Sequence, residues 1–394
     1  MTSLAFTAEE LRYLSSLRQD FHAHPELGFE EERTSQRVAD ELTKIGIPVT
    51  RGIGKTGVIG VIEGEAGPGR SIGLRADMDG LPIHEESDLP FRSTVDGCFH
   101  GCGHDGHMTM LIAAARQLQT RKADICGRVV LIFQPAEEGR GGARAMIADG
   151  LFQRFPCDEI YALHNAPDRD LGKIAVGPGP VSASADFFDI DIAGNGGHAA
   201  FPHRTVDAGL AAIAIAQGLH TIVSRNVDPV DAAVLSVTAM TAGSTYNVIP
   251  DTARLSGTIR TMRPDVRKIM AERLVALADS IAAGYGAKAN VQIRDVFSTL
   301  VNDPLHATIV ADVAAKVVGE DNLDRKPPIV MTSEDFADML LQVPGAYFFL
   351  GQGQGAALHN PRYAFNDAAI PFGASMFIEV AMDRCGTPNG VGRH

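Results

Sequence analysis

The sequence predicts an α/β fold: a catalytic domain with a mixed, largely parallel sheet flanked by helices, interrupted by an inserted ferredoxin-like α+β domain. Three observations carry this. Short β-rich runs alternate with helical segments in the first half, the punctuation changes around Gly177-Pro178-Gly179-Pro180, and the α/β alternation returns after about residue 297. The boundaries fall at 1–181, 182–296 and 297–394, the middle segment being the insertion. A chain of 394 residues with 45% hydrophobic content can bury cores of that number and size.

Taken in order, Thr7-Ala8-Glu9-Glu10 has capping-box spacing and Leu11, Leu14, Leu17 and Phe21 then fall on one helical face. A second helical pattern runs from Glu31 to Ile45 and closes at Gly46. Strands are expected at Gly57–Glu63, Ser71–Arg75, Arg128–Phe133 and Glu159–Leu163, with helices around 105–120 and 140–149 between them. Binding loops in such sheets lie beyond the strand C-termini. Asp77 and Asp79 follow the second of these strands, Glu137 and Glu138 the third, and His164 the fourth. The middle segment reads strand (Asp186–Ile192), helix (Val206–Val223), strand (Ala232–Met240), strand (Ala253–Thr261), helix (Pro264–Ala283), strand (Asn290–Arg294). A helix near 304–318, an apolar Ile329–Met331 and a strand at Ala346–Leu350 before His359 complete the chain.

Composition excludes several classes. The formal charge of −13, from 35 basic and 48 acidic residues, disfavours a nucleic-acid partner. Five cysteines make no disulfide framework, and their odd number points to reduced thiols. Thr2 to Leu17 lacks the apolar core of a signal peptide, and no apolar run approaches the ~20 residues of a membrane span. The expectation is a soluble cytoplasmic protein with no membrane partner. Gly52-Ile53-Gly54-Lys55-Thr56-Gly57 matches a dinucleotide pattern by spacing but leads into a strand, so it reads as a hairpin turn. Gly351 to Gly355 reads as a loop leading to His359.

The chemistry concentrates in two runs. Cys102-Gly103-His104-Asp105-Gly106-His107 packs a sulfur, two imidazoles and a carboxylate together, and Glu137-Glu138 follows in the next strand-to-helix connection. A divalent cation needs preformed N, S and O ligands, and hydrolysis at neutral pH also needs a proton acceptor beside it. Adjacent glutamates can supply one of each. Cys102 and His104 can turn toward one ion, whereas His107 reads more readily as a helix-face or supporting histidine. His164 and His359 read equally as ligands or as satisfied histidines at strand and loop ends.

The strings LRADMDGLP, CGHDGHM, FQPAEEGRGGARAMIADGLF, LHN, GNGGHAAFPH, NVIPD, GTIRT, SEDF and LHNPRYAFND resemble the M20 metallopeptidase superfamily, in its aminoacylase-like amidohydrolase branch. That branch includes hippurate hydrolases, N-acetyl-amino-acid deacetylases and auxin-conjugate hydrolases. The resemblance implies two divalent ions per subunit, with zinc, manganese, nickel and cobalt all open. It implies Cys102, His104, Glu138, His164 and His359 as ligands, Glu137 as general base, and Asp79 as the residue orienting a ligand. It also implies His198 as an oxyanion donor from a second subunit, Asn247 and Arg260 as the grip on the substrate carboxylate, and the inserted domain as lid and dimerisation unit of a homodimer. The substrate is then a small N-acyl amino acid, with acyl group and amino acid open; a dipeptide or carboxypeptidase substrate is the alternative. A cysteine nucleophile at Cys102 is the competing chemistry, and it leaves Glu137, Glu138, His164 and His359 idle. Gly80, Gly101 and Thr332 depart from relatives without removing a functional side chain. Asp77 stands where the wider superfamily has a metal-binding histidine.

Overall fold

The computed structural model describes residues 6–387. Residues 2–5 of the N-terminal segment read above lie outside the described residues. The chain divides into two units: one contains the described residues up to Val181 together with Val301–Pro328 and those from Asp335 on, the other Ser182–Leu300 and Ile329–Glu334. The sequence reading gave everything from 297 onward to the catalytic part. Instead 297–300 and 329–334 pack with the second unit: Phe297 pairs with Ala185 and Thr299 Oγ1 donates to Thr261 O (3.4 Å), while Ala183 N–H donates to Thr332 O (2.9 Å) and Ser182 bridges Val330. Such pairing over a long sequence separation leaves no local pattern.

In the first unit, β1 (Val49–Ile53), β2 (Gly57–Glu63), β3 (Ser71–Asp77), β4 (Arg128–Gln134) and β5 (Glu159–Ala166) join Gly345–Gly351, Ile174–Ala175 and Leu323–Asp324 in an eight-stranded sheet. Its order is β1-β2-β4-β3-β5, then Gly345–Gly351, Ile174–Ala175 and Leu323–Asp324. β3 runs parallel to β4 and β5, and Gly345–Gly351 runs parallel to β5, so these four C-terminal ends share one edge. β4 and β5 are buried almost throughout, as strands covered on both faces must be. The fourth of the expected strands was to stop at Leu163, with His164 beyond it. β5 instead continues to Ala166, because His164 pairs with Phe349 of the neighbouring strand. The glycine-rich 52–57 segment forms the β1–β2 turn, with Gly52, Gly54 and Lys55 all left-handed.

The first helix, α1 (Ala8–Ala23), starts at the capping box: Thr7 Oγ1 accepts from Glu10 N–H (3.2 Å) and Thr7 N–H donates to the Glu10 carboxylate (2.7 Å). Leu14, Leu17 and Phe21 are buried, each contributing about 1.5–3 kcal/mol of burial free energy. α2 (Glu32–Lys44) covers β2. α3 (His104–Thr120) is buried all round its first three turns, packed between the sheet, α1 and the helix Ile370–Cys385. None of the described helices is long and apolar enough to cross a membrane.

The second unit has the β-α-β-β-α-β order, with strands Ser184–Ala193, Ala233–Ala242, Thr252–Thr261 and Lys288–Phe297. The spatial order is Ala233–Ala242, Thr252–Thr261, Ser184–Ala193, Lys288–Phe297, all neighbours antiparallel, which is the ferredoxin-like arrangement. Phe188, Ile190, Leu255 and Ile259 pack against Ile215, Met270 and Leu274 of the helices. Other side chains of the same strands are polar, with Asp189 paired to Arg254 (3.0 Å) and Arg294 (3.1 Å). The single helix expected at Val206–Val223 is two, Ala208–Leu219 and Thr221–Asn226. Asp207 caps the first by accepting from Leu210 N–H (2.9 Å), and Thr221 Oγ1 takes the Gly218 carbonyl (2.7 Å) where it ends.

One buried ionic cluster ties α1 to the start of α3. Asp105 accepts from Arg18 (3.1 Å) and His22 Nδ1 (2.8 Å), while His22 Nε2 reaches Glu85 (3.2 Å) in the 82–99 loop. Burial opposes a charge on His22, but Asp105 and Glu85 outweigh it and raise its pKa to about 9. Because the folded value lies above the ordinary one, this stabilisation is complete below about pH 6.5 and is lost as pH rises through about 9. The wild-type chain is therefore expected to lose on the order of 3 kcal/mol of stability between pH 6.5 and 10 that a His22→Gln variant does not lose. Denaturant unfolding of both proteins across that range measures it; parallel pH profiles would rule the linkage out.

Candidate metal centre

The C-terminal edge of the parallel strands gathers the chemistry. Asp77 ends β3, Asp79 follows it, Glu137 and Glu138 follow β4, and His164 sits in the last residues of β5. Gly103, left-handed at φ 92°, turns the chain into α3 so that Cys102 lies just before the helix and His104 opens it. A Cβ on Gly103 would fall 2.5 Å from Asn165 Oδ1 and 2.7 Å from the Tyr363 hydroxyl, so the close approach requires glycine. His359 is left-handed as well (φ 64°), and its N–H donates to Gly101 O (2.8 Å), tying its loop to the Cys102 segment.

These side chains converge. Cys102 Sγ stands 3.4 Å from His164 Nε2, His104 Nε2 is 3.9 Å from Glu138 Oε1, and His359 Nε2 is 3.3 Å from the same oxygen. Ligand atoms of Cys102, His104 and His164 lie within 4.8 Å of one another, as do those of Cys102, Glu138 and His359, and those of His104, Glu137 and Glu138. Bond lengths of about 2.0–2.3 Å to zinc put neighbouring tetrahedral ligand atoms roughly 3–4 Å apart, which is the spacing found. Two of the inward atoms, His104 Nε2 and Glu138 Oε1, are buried with no hydrogen-bond partner. Leaving a buried polar atom unpaired costs about 1–3 kcal/mol, so a donor set of this kind fits a cation.

Surrounding groups set the tautomers. His104 Nδ1 donates to Asp79 O (2.9 Å) and His164 Nδ1 to Asn165 O (2.8 Å), which turns each Nε2 toward the cluster. Burial and then His107 push the His164 pKa well below its ordinary value, keeping it neutral. His104 is the opposite case: burial is outweighed by Asp77, Asp79 and Glu138, and its pKa rises to about 10. The local field thus demands positive charge where the carboxylates meet. Burial, reinforced by Glu138, Glu137 and Asp77, pushes the Cys102 thiol far up. That is the reverse of an activated nucleophile, whose thiol must be acidified, and it argues against cysteine chemistry.

His107 was read as a helix-face or supporting histidine, but the partners of its network went unread in the sequence. His107 Nδ1 donates to Asp77 Oδ1 (2.6 Å) and its Nε2 meets Asn165 Oδ1 (2.7 Å), so both ring nitrogens are spent and it is not free to bind an ion. Asn165 Nδ2 donates to the Tyr363 hydroxyl (2.7 Å) and Gln352 Oε1 (3.2 Å). Arg75, fully buried in β3, pairs with Asp77 (2.7 Å) and Asp335 (3.2 Å) and donates to Gln134 (2.9 Å). Its one signal was a charge among the apolar residues Ile72, Leu74 and Ala76 of β3. Asp79 Oδ2 accepts from Glu138 N–H (2.9 Å), so it touches the backbone of the glutamate pair as well as His104.

His198, Asn247 and Arg260 belong to the second unit. His198 and Val248 pair in a short ladder, Asn247 O accepts from Ala199 N–H (3.0 Å), and both His198 and Asn247 are exposed. Arg260 is half-buried on Thr252–Thr261 and donates to Ser333 Oγ; among the described residues no carboxylate pairs with it.

Residues 73–383 match the family described as Peptidase family M20/M25/M40. The chain is 38% identical over 366 residues to a hippurate hydrolase of Campylobacter jejuni, covering 93% of this chain and 95% of that protein. It is 37% identical over 375 residues to an N-acetylcysteine deacetylase of Bacillus subtilis, covering 94% and 96%. Among solved structures, a dinuclear metal-binding peptidase of the M20 family from Bacillus subtilis superposes with a TM-score of 0.82 at 34% identity, over 95% of this chain and 98% of that one.

An Asp79→Asn variant is expected to bind divalent cations about 10–100-fold more weakly than wild type while remaining folded. Equilibrium dialysis with zinc or manganese, beside a circular-dichroism melt, measures both; unaltered affinity would remove Asp79 from the centre.

Proposed function

The chain belongs to peptidase family M20/M25/M40 and is a hydrolase, and on that premise we propose that it cleaves the amide bond of N-acyl amino acids with two divalent transition-metal ions, releasing a carboxylic acid and an amino acid. The observation that carries this is the pair Glu137–Glu138: one carboxylate faces His104 and His359, and a second, nearly buried, lies beside it. Cys102, His104, Glu138, His164 and His359 would hold the ions, which when bound supply Lewis acidity toward the scissile carbonyl and make water acidic enough to attack it. Glu137 accepts the proton of the attacking water and returns it to the leaving amine nitrogen. Asp79 holds His104 and the Glu138 amide in register.

The second unit completes the reading. A half-buried guanidinium with no acidic partner among the described residues suits an anion, and Arg260, with Asn247, grips the free carboxylate of the amino-acid half. His198 Nδ1 accepts from Ala200 N–H (3.1 Å), which leaves the proton on Nε2, a donor suited to the oxyanion of the tetrahedral state. By resemblance His198 comes from a second copy of the chain, which makes the functional unit a homodimer with the inserted domain as lid and dimerisation unit. Similarity at 37% identity to a thermostable carboxypeptidase of Saccharolobus solfataricus supports a second reading, removal of a C-terminal amino acid from a peptide, since the bond is chemically the same.

Glu137→Gln is expected to lower kcat by about 10³-fold on N-benzoylglycine or N-acetylcysteine with its metal content unchanged. Steady-state kinetics with elemental analysis decides it, and an active Glu137→Gln protein removes the mechanism. Arg260→Ala should raise KM about tenfold or more with little change in kcat, whereas it should leave hydrolysis of an acyl amide lacking the carboxylate untouched.

A further inference from the structure

Among the described residues four that are not glycine have left-handed backbone: Phe29 (φ 67°), Lys55 (φ 79°), Ala136 (φ 55°) and His359 (φ 64°). His359 lies in the metal centre. The other three surround one buried carboxylate. Glu31, two residues after Phe29, is wholly inaccessible to solvent; its Oε1 accepts from Ala136 N–H (2.8 Å) and its Oε2 accepts from Thr56 Oγ1 (2.6 Å), the residue after Lys55. The Lys55 ammonium lies 4.2 Å over the Phe29 ring, closing two of the strained turns on each other. From the far side Gly28 abuts Ala136 so closely that a Cβ would come within 2.9 Å of its Cα, and Arg140 donates to Gly28 O (2.9 Å).

An alanine holds such a conformation only where its surroundings over-determine it, and residues held in this way cluster where geometry matters to chemistry. Ala136 is the residue immediately before Glu137 and Glu138. Released toward ordinary backbone angles, it would first redirect those two side chains. We propose that Glu31 is a positioning residue for the reaction: by holding the Ala136 amide it keeps the strained turn in the one conformation that aims Glu137 as base while Glu138 serves as ligand. This rests on the assignment of Glu137 made above.

The test uses the full chain, metal-loaded, as Glu31→Ala and Glu31→Gln, with Glu137→Gln in the same assay on whichever N-acyl amino acid of a panel is turned over fastest. Glu31→Ala should lower kcat about a hundredfold with KM within about threefold of wild type. Hydrogen exchange read by mass spectrometry on the 134–139 segment should show the Ala136 amide losing protection, while the cation content stays that of wild type. Glu31→Gln, whose side chain can accept from Ala136 and donate to Thr56, should restore kcat to within about fivefold. The proposal fails if Glu31→Ala keeps kcat within about twofold, if its loss comes without faster exchange at Ala136, or if Glu31→Gln is as impaired as Glu31→Ala. Retained activity in Glu137→Gln would instead overturn the base assignment, and the exchange measurement would still report whether Glu31 holds the turn.

Discussion

A carboxylate sealed from water at the end of a strand stays charged only if other groups bear the cost of its desolvation, and Asp77 is such a carboxylate. Burial opposes its ionisation, yet His104, Arg75 and His107 together hold its pKa well below the ordinary range. Each of those partners is anchored in turn. Arg75 extends the network to Gln134 and Asp335, and His107 extends it to Asn165, Tyr363 and Gln352. The ends of β3, β4 and β5 and of the strand Gly345–Gly351 are thereby joined by polar contacts that no apolar core could orient. A satisfied buried network of this kind specifies geometry more than it adds stability. The metal centre inherits that geometry, because Asp79, Glu137, Glu138 and His164 leave the same strand ends.

Charge favours a cation at this candidate centre. Asp77, Asp79, Glu137 and Glu138 crowd one edge of the sheet, and the response of the protein is visible in its own groups: His104 is driven toward protonation while the Cys102 thiol is driven away from ionisation. The carboxylates alone raise the His104 value against burial, whereas burial leads the Cys102 shift and the carboxylates add to it. A divalent ion held by Cys102 and His104 would reverse both, freeing the His104 lone pair and making a thiolate favourable. The same potential would cripple a cysteine nucleophile, so one electrostatic fact both supports one chemistry and weakens its rival.

What could be read from the sequence was what is local. The capping box at Thr7, the β1–β2 turn, the glycines that thin the backbone around Cys102 and His104, and the two adjacent glutamates are short-range patterns, and the structure brings Cys102, His104, Glu138, His164 and His359 together. The strand order of the second unit was implicit in its β-α-β-β-α-β rhythm. Contacts between distant residues were not legible. Nothing near Glu31 announces Ala136, nothing near Arg75 announces Asp335, and the transfer of 329–334 to the second unit depends on the edge offered by Ser182 and Ala183. His164 was placed one step too late for a related reason: its apolar flank ends at Leu163, but its strand partner does not. Backbone pairing extended the strand past the point where the side-chain pattern stopped.

Gly103 carries a consequence for inheritance. It binds nothing and reacts with nothing, yet the space where its side chain would begin is already filled by the amide of Asn165 and the hydroxyl of Tyr363, which are bonded to each other. Nineteen alternatives at that codon are closed at once, including the smallest, and relief would require simultaneous change at two partners on separate segments. What pins this silent position is therefore occupied space, an obligation of the architecture and not of the chemistry.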